Sequence, residues 1–265
     1  MPPARIVFWA ATLAGIGLTA RSLLAEPPPL PYALAVALLY LGVLLCGVFV
    51  LRLRMFADAI VRGPSGATGV VLTFDDGPDP VHTREVLDAL DVHQAKATFF
   101  VIGRKAEQHR ELVEEIVRRG HEVGVHGFAH DRLFSLRGSK RVREDLERAI
   151  RVLENITGKT PLLFRPPIGH TNPTIARIAD RLDLTMVGWS VRARDGLART
   201  KPEDVLARIS RGLEDGAIVL LHDAPEQGTR KPAGVTALPS ILERIASKNL
   251  TVVPLTKWLE PANTD

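Results

Sequence analysis

Apolar and polar positions fall into two regimes along this chain. The first fifty or so residues carry two long, nearly charge-free apolar runs. From about residue 65 short apolar runs alternate with amphipathic stretches. The runs Val70 to Phe74, Ala97 to Ile102, Glu122 to Val125, Leu162 to Phe164, Leu184 to Val191, Ala217 to Leu221 and Leu250 to Leu255 read as buried strands. Between them, Arg104 to Arg119 sets Leu112, Val113, Ile116 and Val117 at helical spacing and stops at Gly120. Lys140 to Ile156 does the same with Val142, Leu146, Ile150 and Leu153, and Gly158 follows as a helix end. Thr171 to Leu182, Pro202 to Leu213 and Leu238 to Ser247 complete the helices. Seven strands with helices between them predict parallel pairing, hence an α/β barrel or an open doubly wound sheet. The pattern alone does not separate those two.

The N-terminal runs predict a membrane anchor. Leu30 to Leu51 has no charge and is long enough to span a bilayer. Ile6 to Ala20 is shorter and reaches a spanning length, to about Ala25, if Arg21 snorkels to the interface. A cleaved signal peptide is the rival reading, but Arg5 is a weak basic region and Leu18-Thr19-Ala20 a poor cleavage site. Glu26-Pro27-Pro28-Pro29 leaves room only for a hairpin turn, and Phe8, Trp9, Tyr32 and Phe49 sit near the run ends as interfacial aromatics do. The expected division is residues 1–63 as a transmembrane helical hairpin (helices at about 6–25 and 30–51) and 64–265 as a catalytic domain.

Charge refines this picture. The net charge is +4. Arg5, Arg21, Arg52, Arg54 and Arg62 face only Glu26 and Asp58 in the anchor, so the remainder is nearly neutral and no nucleic-acid partner is implied. Arg52, Arg54 and Arg62 crowd the C-terminal flank of the second span, which places that flank in the cytoplasm, at the inner membrane of a bacterium. A signal peptide followed by one span gives the same side. The single cysteine, Cys46, lies in an apolar run, which excludes disulfides and cysteine-rich zinc sites.

The chemistry gathers at predicted strand ends. No dinucleotide fingerprint, phosphate-binding loop or serine elbow is present. The first strand runs into Thr73-Phe74-Asp75-Asp76-Gly77-Pro78-Asp79-Pro80, where a Gly-Pro bend lets two adjacent carboxylates reach one pocket. An Asx-turn that merely closes the strand is the plainer alternative. The third strand gives Val125-His126-Gly127-Phe128-Ala129-His130. Histidines at i and i+4 share a face on a helical turn, and with one carboxylate they match an open catalytic zinc site. His121 reads as structural, and His82, His93 and His109 as solvated. The fourth strand ends Phe164-Arg165-Pro166-Pro167-Ile168-Gly169, where Arg165 suits a bidentate grip on a carboxylate. The fifth leads to Asp195. The sixth ends Leu220-Leu221-His222-Asp223, so Asp195 is expected to hold the His222 imidazole and raise its pKa.

Taken in order, these segments resemble the five motifs of the polysaccharide deacetylases, the NodB-homology or carbohydrate esterase family four, over about residues 67 to 260. The resemblance implies a distorted (β/α)7 barrel. It implies Asp75 as general base, Asp76, His126 and His130 as ligands of one divalent metal (zinc, with cobalt, nickel or manganese as alternatives), and Arg165 as the tether of Asp75. It implies His222 as general acid oriented by Asp195, an oxyanion contact from the Ile168 N–H, and Leu220 in the acyl pocket. The implied activity is hydrolysis of the N-acetyl group of an amino sugar in a polysaccharide, peptidoglycan or lipid-linked glycan. Three departures stand out. Gly127 replaces a hydroxyl residue expected to steady the histidine loop, Ile168 replaces an aromatic, and Gly196 replaces a tryptophan, which opens the acyl pocket to formyl as well as acetyl groups. Two other functions compete. One is a deacylase or deformylase of a polyprenyl-phosphate-linked sugar at the cytoplasmic face. The other is an inactive glycan-binding membrane module, which is expected to lack a ligand or Asp75, and none is missing.

Overall fold

A computed structural model describes residues 1–226 and 228–259. Seven strands form one wholly parallel sheet. They are β1 (Val71–Asp75), β2 (Thr98–Val101), β3 (Glu122–Val125), β4 (Leu163–Phe164), β5 (Thr185–Met186), β6 (Val191–Arg192) and β7 (Ile218–His222). Their order across the sheet is β5-β4-β3-β2-β1-β7-β6. Every residue of β1 is buried, as a central parallel strand requires.

The curl of this sheet follows from chain length. Strands β5 and β6 lie at opposite edges, yet only residues 187–190 separate them. An extended chain covers at most about 17 Å in those five steps at about 3.3–3.6 Å each. Six flat strand spacings of about 4.8 Å would set the edges about 29 Å apart. The sheet must therefore roll up until its edges nearly meet. The crossing segment bonds as it goes: the Val187 N–H donates to Phe164 O at 2.8 Å, Gly188 N–H to Ile60 O at 2.8 Å and Ser190 N–H to Ile218 O at 3.0 Å.

The seven-stranded (β/α) barrel is present, but its strands are a different seven from those the periodicity predicts. The apolar run Leu184 to Val191 is two strands joined by the crossing, because both halves of one buried run face the same core. The run Leu250 to Leu255 makes only a bridge, Val70 with Val252, before Pro254 ends it. The predicted helix Arg104 to Arg119 divides at His109 (φ −128°) into α4 (Gly103–Gln108) and α5 (Arg110–Arg118), which lets Leu112, Val113 and Ile116 turn onto the core.

The remaining helices cover the outside. They are α3 (His82–Val92), α6 (Ser139–Thr157), α7 (Pro173–Arg181), α8 (Pro202–Gly212) and α9 (Ala233–Ser247). Helix α6 buries Val142, Leu146, Ala149 and Leu153 along one stripe. Helix α7 starts where the Asn172 side chain accepts from the Thr174 and Ile175 N–H groups, both at 2.8 Å, with Pro173 in its first turn.

Two N-terminal helices, α1 (Pro3–Leu24) and α2 (Leu30–Phe49), are long and apolar enough to cross a membrane. They pack on each other, with Thr12 Oγ1 and Tyr40 Oη 2.8 Å apart. They are also fastened to the barrel. Arg5 donates to Asp58 Oδ1 at 2.9 Å and to Met55 O at 3.1 Å, and the Phe8 and Phe56 rings meet edge to face. From the C-terminal end of α2, Val48 O accepts the Thr171 N–H at 3.0 Å and the Phe49 ring meets His170 at 4.6 Å. Residues 51–62, grouped with the anchor by charge, contribute Leu51, Ala57 and Ala59 to the barrel core. Ile60 donates to Met186 O at 2.8 Å. Replacing Ile60 with proline removes that donor and strands a buried carbonyl, a loss of about 1–3 kcal/mol. Thermal unfolding should fall by about 2–4 °C per kcal/mol; an unchanged midpoint would show that this segment does not close the barrel.

Candidate active site

Seven of the nine predicted site residues, Asp75, Asp76, His126, His130, Ile168, Leu220 and His222, line a pocket of about 340 Å³ at the C-terminal mouth of the barrel, and the other two, Arg165 and Asp195, are buried behind it against Asp75 and His222. Strand β1 delivers Asp75, and the chain then turns through a left-handed Asp76 (φ 74°), which swings the second carboxylate to the same side. Gly77 follows because nothing larger fits: a Cβ there would fall 2.2 Å from the Asp223 carboxylate.

Two histidines complete the first cluster. Ligand atoms of Asp76, His126 and His130 all lie within 4.8 Å of one another, and all three residues are buried. Asp76 Oδ1 is 3.5 Å from His126 Nε2 and 3.2 Å from His130 Nε2. The His126 Nδ1–H donates to Arg165 O at 2.8 Å, so Nε2 faces the cluster. The i, i+4 pair does not sit on a helical turn as the spacing suggests. Residues 127–130 form a loop with left-handed Gly127 (φ 74°) and His130 (φ 51°), and the two rings are 4.9 Å apart.

That loop needs no hydroxyl at position 127. Asp145 on α6 accepts from the Phe128 N–H at 2.7 Å and the Ala129 N–H at 3.2 Å. A Cβ on residue 127 would approach Asp145 Oδ2 to 3.1 Å in a left-handed conformation. The departure at Gly127 is thus compensated by a carboxylate from a neighbouring helix.

Arg165, completely buried, occupies the centre of the barrel. Its Nη1 donates to Asp75 Oδ1 and to Thr73 Oγ1, both at 2.7 Å; Nη2 donates to Gly188 O at 2.8 Å and Nε to Val187 O at 3.3 Å. The grip on Asp75 is a single bond, not the expected fork, because the other donors hold the crossing segment. The guanidinium lies 4.2 Å above the Phe100 ring.

A second dyad stands across the pocket. Asp195 Oδ1 is 2.8 Å from His222 Nδ1, and Oδ2 accepts the His222 N–H at 2.9 Å. Burial opposes a charged imidazole, but Asp195, with Asp76 and Asp75 behind it, outweighs burial and pushes His222 up to about 10. At Asp76 burial likewise opposes charge, yet His126, His222 and His130 hold the carboxyl well below the usual carboxylate range. Burial and the neighbouring His126 push His130 down to about 4.

The donor set fits a divalent cation. Asp76 Oδ1 is buried and accepts no hydrogen bond among the described residues, while two imidazole nitrogens face it. Two nitrogens and one carboxylate oxygen are the open catalytic pattern. The sequence reading missed several pocket residues. Trp189, Arg192, Arg194, Leu197 and Glu226 line the same cavity, and Arg132 holds Glu226 through Nη2 at 2.6 Å. Asp223 is buried beneath β1 and bonded by Thr83, and burial pushes its carboxyl up to about 7. The aspartate after His222 and the Gly-Pro after Asp76 were its only local signals. The predicted structural role of His121 agrees with its buried ring, whose Nδ1 accepts the Ala97 N–H at 3.2 Å.

Comparison with known proteins gives one direction. A family model described as polysaccharide deacetylase matches residues 62–187. A peptidoglycan-N-acetylglucosamine deacetylase of Bacillus cereus is 33% identical over 199 residues, 74% of this chain and 90% of the relative. A family 4 acetyl xylan esterase from Clostridium thermocellum, solved in complex with a cobalt ion, superposes with a TM-score of 0.65 at 34% identity, covering 72% of this chain and 89% of that one. A CE4 family pseudoenzyme from Bacillus anthracis superposes with a TM-score of 0.69 at 28% identity, covering 78% and 71%.

If Asp145 positions the histidine loop, Asp145→Ala should weaken zinc affinity by about 10- to 100-fold while the protein stays folded. Competition against a chelating dye measures this. Unchanged affinity in the folded variant would refute that role.

Proposed function

This chain belongs to the polysaccharide deacetylase family, hydrolases of carbon–nitrogen bonds other than peptide bonds, and from that premise we propose that it is a metal-dependent N-deacetylase of an acetylated amino sugar. The observation that carries the reading is Asp76 Oδ1, buried without a hydrogen-bond partner among the described residues and faced by two imidazole nitrogens at 3.5 and 3.2 Å. Asp76, His126 and His130 would hold the cation, which when bound supplies Lewis-acid activation of the acyl carbonyl and of water.

The other residues divide the proton work. Asp75, fixed by Arg165 at 2.7 Å, takes the proton of the attacking water. The Ile168 N–H, on a turn with φ 52°, donates to the oxygen on which negative charge develops. His222, protonated and oriented by Asp195, gives its proton to the departing amine, leaving a free amino sugar and acetate. Leu220 and Trp189 wall the acyl pocket, and Gly196 leaves one side open. An inactive binding module is the reading a pseudoenzyme relative invites; the complete set of Asp75, Asp76, His126, His130 and His222 speaks for activity.

The helices α1 and α2 make a membrane anchor in this reading, and Arg52, Arg54 and Arg62 favour a cytoplasmic barrel. A reporter that fluoresces only in the cytoplasm, fused after residue 265, reads the side. The contact of Phe49 with His170 favours a substrate presented at the bilayer surface, such as a lipid-linked sugar, over a distant polymer.

Acetate release from N-acetylglucosamine oligomers by the purified chain tests the activity. Chelation should abolish it and zinc or cobalt restore it. Asp75→Asn should keep metal and lose about 10² to 10⁴ in turnover. Because His222 is raised to about 10, its proton is present at neutral pH and lost as pH climbs through that value. The rate should therefore fall on the alkaline side, and His222→Ala should lack that limb. Near-normal turnover in Asp75→Asn would sink the mechanism.

A further inference from the structure

Arg192 and Arg194 are the pocket's unexplained charges. Both line the catalytic cavity, both are exposed, and among the described residues neither guanidinium makes an ion pair or a hydrogen bond. The pocket's own carboxylates are engaged elsewhere: Asp75 with Arg165, Asp76 with His126 and His130, and Glu226 with Arg132. Asp195, buried and directly after Arg194 in sequence, is taken by His222. Two like charges two residues apart repel unless an anion lies between them, and the local backbone is built to keep them there. Arg194 holds a left-handed conformation (φ 57°), and its carbonyl accepts from Thr200 Oγ1 at 2.8 Å. The preceding carbonyl, of Ala193, accepts from Arg208 at 3.2 Å.

The same side of the pocket adjoins the end of the second apolar helix. Ile168 and Gly169 line the cavity, and the next two residues, His170 and Thr171, touch Phe49 and Val48 of α2. Arg192 lies 5.7 Å from the ring of Trp189, another lining residue. Asn172, one residue further on, donates to Ser135 O at 2.6 Å, which seats the turn carrying Leu133 and Leu136 beside this end of the helix. Those leucines are 51% and 76% exposed, an apolar pair that a bilayer surface could cover. With α2 in a bilayer, the mouth of the pocket opens at headgroup level.

We propose that Arg192 and Arg194 form an anion subsite for the phosphate of a membrane-borne amino-sugar substrate, whose sugar enters the pocket while its lipid stays in the bilayer. Paired guanidinium forks match phosphate oxygens, and a neutral oligosaccharide offers them nothing. This rests on the deacetylase reading above.

The test uses the full chain, zinc-loaded, in nanodiscs, with three substrates: polyprenyl-phosphate-linked N-acetylglucosamine, soluble N-acetylglucosamine 1-phosphate and neutral N-acetylchitotetraose. The native chain should favour both phosphorylated substrates over the neutral one by tenfold or more in kcat/KM, and the preference should collapse toward one in Arg192→Gln/Arg194→Gln. A native chain without that preference, a variant that keeps it, or faster release from peptidoglycan fragments would overturn the subsite. Comparing nanodiscs with and without phosphatidylglycerol separates the sources of phosphate. If the double variant loses only a dependence on anionic lipid, the arginines bind bulk headgroups and the proposal fails. Turnover of no substrate would overturn the deacetylase reading itself. Calorimetric titration with the soluble sugar phosphate then decides the subsite alone, with tenfold weaker binding expected in the variant and equal binding contradicting it.

Discussion

The buried guanidinium of Arg165 is the interaction on which both the barrel and its chemistry depend. A charge taken fully out of water is costly unless every donor is matched. Here its four partners come from two places: Thr73 and Asp75 on β1, and the Val187 and Gly188 carbonyls of the segment that joins the sheet's two edges. One side chain on the loop after β4 thus fastens the closing segment to the central strand and fixes the carboxylate proposed as the base. Its own carbonyl accepts from His126 and sets which imidazole nitrogen faces the metal-ligating cluster. Closure of the fold and assembly of the site are the same set of hydrogen bonds. Removing one partner of such a buried pair typically costs about 3–5 kcal/mol, so the strand order and the catalytic geometry are expected to fail together.

Around that centre the charges are arranged in two groups with different tasks. Asp76, His126 and His130 form a buried candidate ligand set in which a carboxylate oxygen has no hydrogen-bond partner among the described residues. Burial makes that arrangement expensive without a cation and tight with one. On the facing wall, Asp195 turns burial's penalty on His222 into a strongly held proton. A carboxylate gripped by Arg165 and an imidazole that keeps its proton at neutral pH therefore face one cavity.

Much of this was legible in the sequence because the chemistry sits at strand ends, where local patterns place it. The paired aspartates, the two histidines and His222 line the mouth their positions implied, with Arg165 and Asp195 buried directly behind them. What was not legible depends on contacts between distant segments. The run Leu184 to Val191 has one continuous apolar pattern, yet it serves both edges of a rolled sheet, which periodicity of two cannot reveal. The histidine loop lacks the expected hydroxyl at Gly127, and its replacement, Asp145, lies on the face of a helix that otherwise reads as solvent-exposed charge. Residues 51–62 carry the basic flank of the anchor and also feed Leu51, Ala57 and Ala59 into the core, so charge alone grouped them with the anchor. Arg192 and Arg194 stand out only once the carboxylates near them are seen to be occupied.

The central claim is that Asp76 and its two histidines hold a catalytic divalent cation in an otherwise complete deacetylase site. Metal content of the purified full chain, measured by mass spectrometry after exposure to zinc and removal of excess ion, addresses it most directly. The account predicts close to one zinc per native chain and per Asp75→Asn chain, and almost none in a folded Asp76→Ala chain. Equal zinc content in native and Asp76→Ala proteins would contradict it.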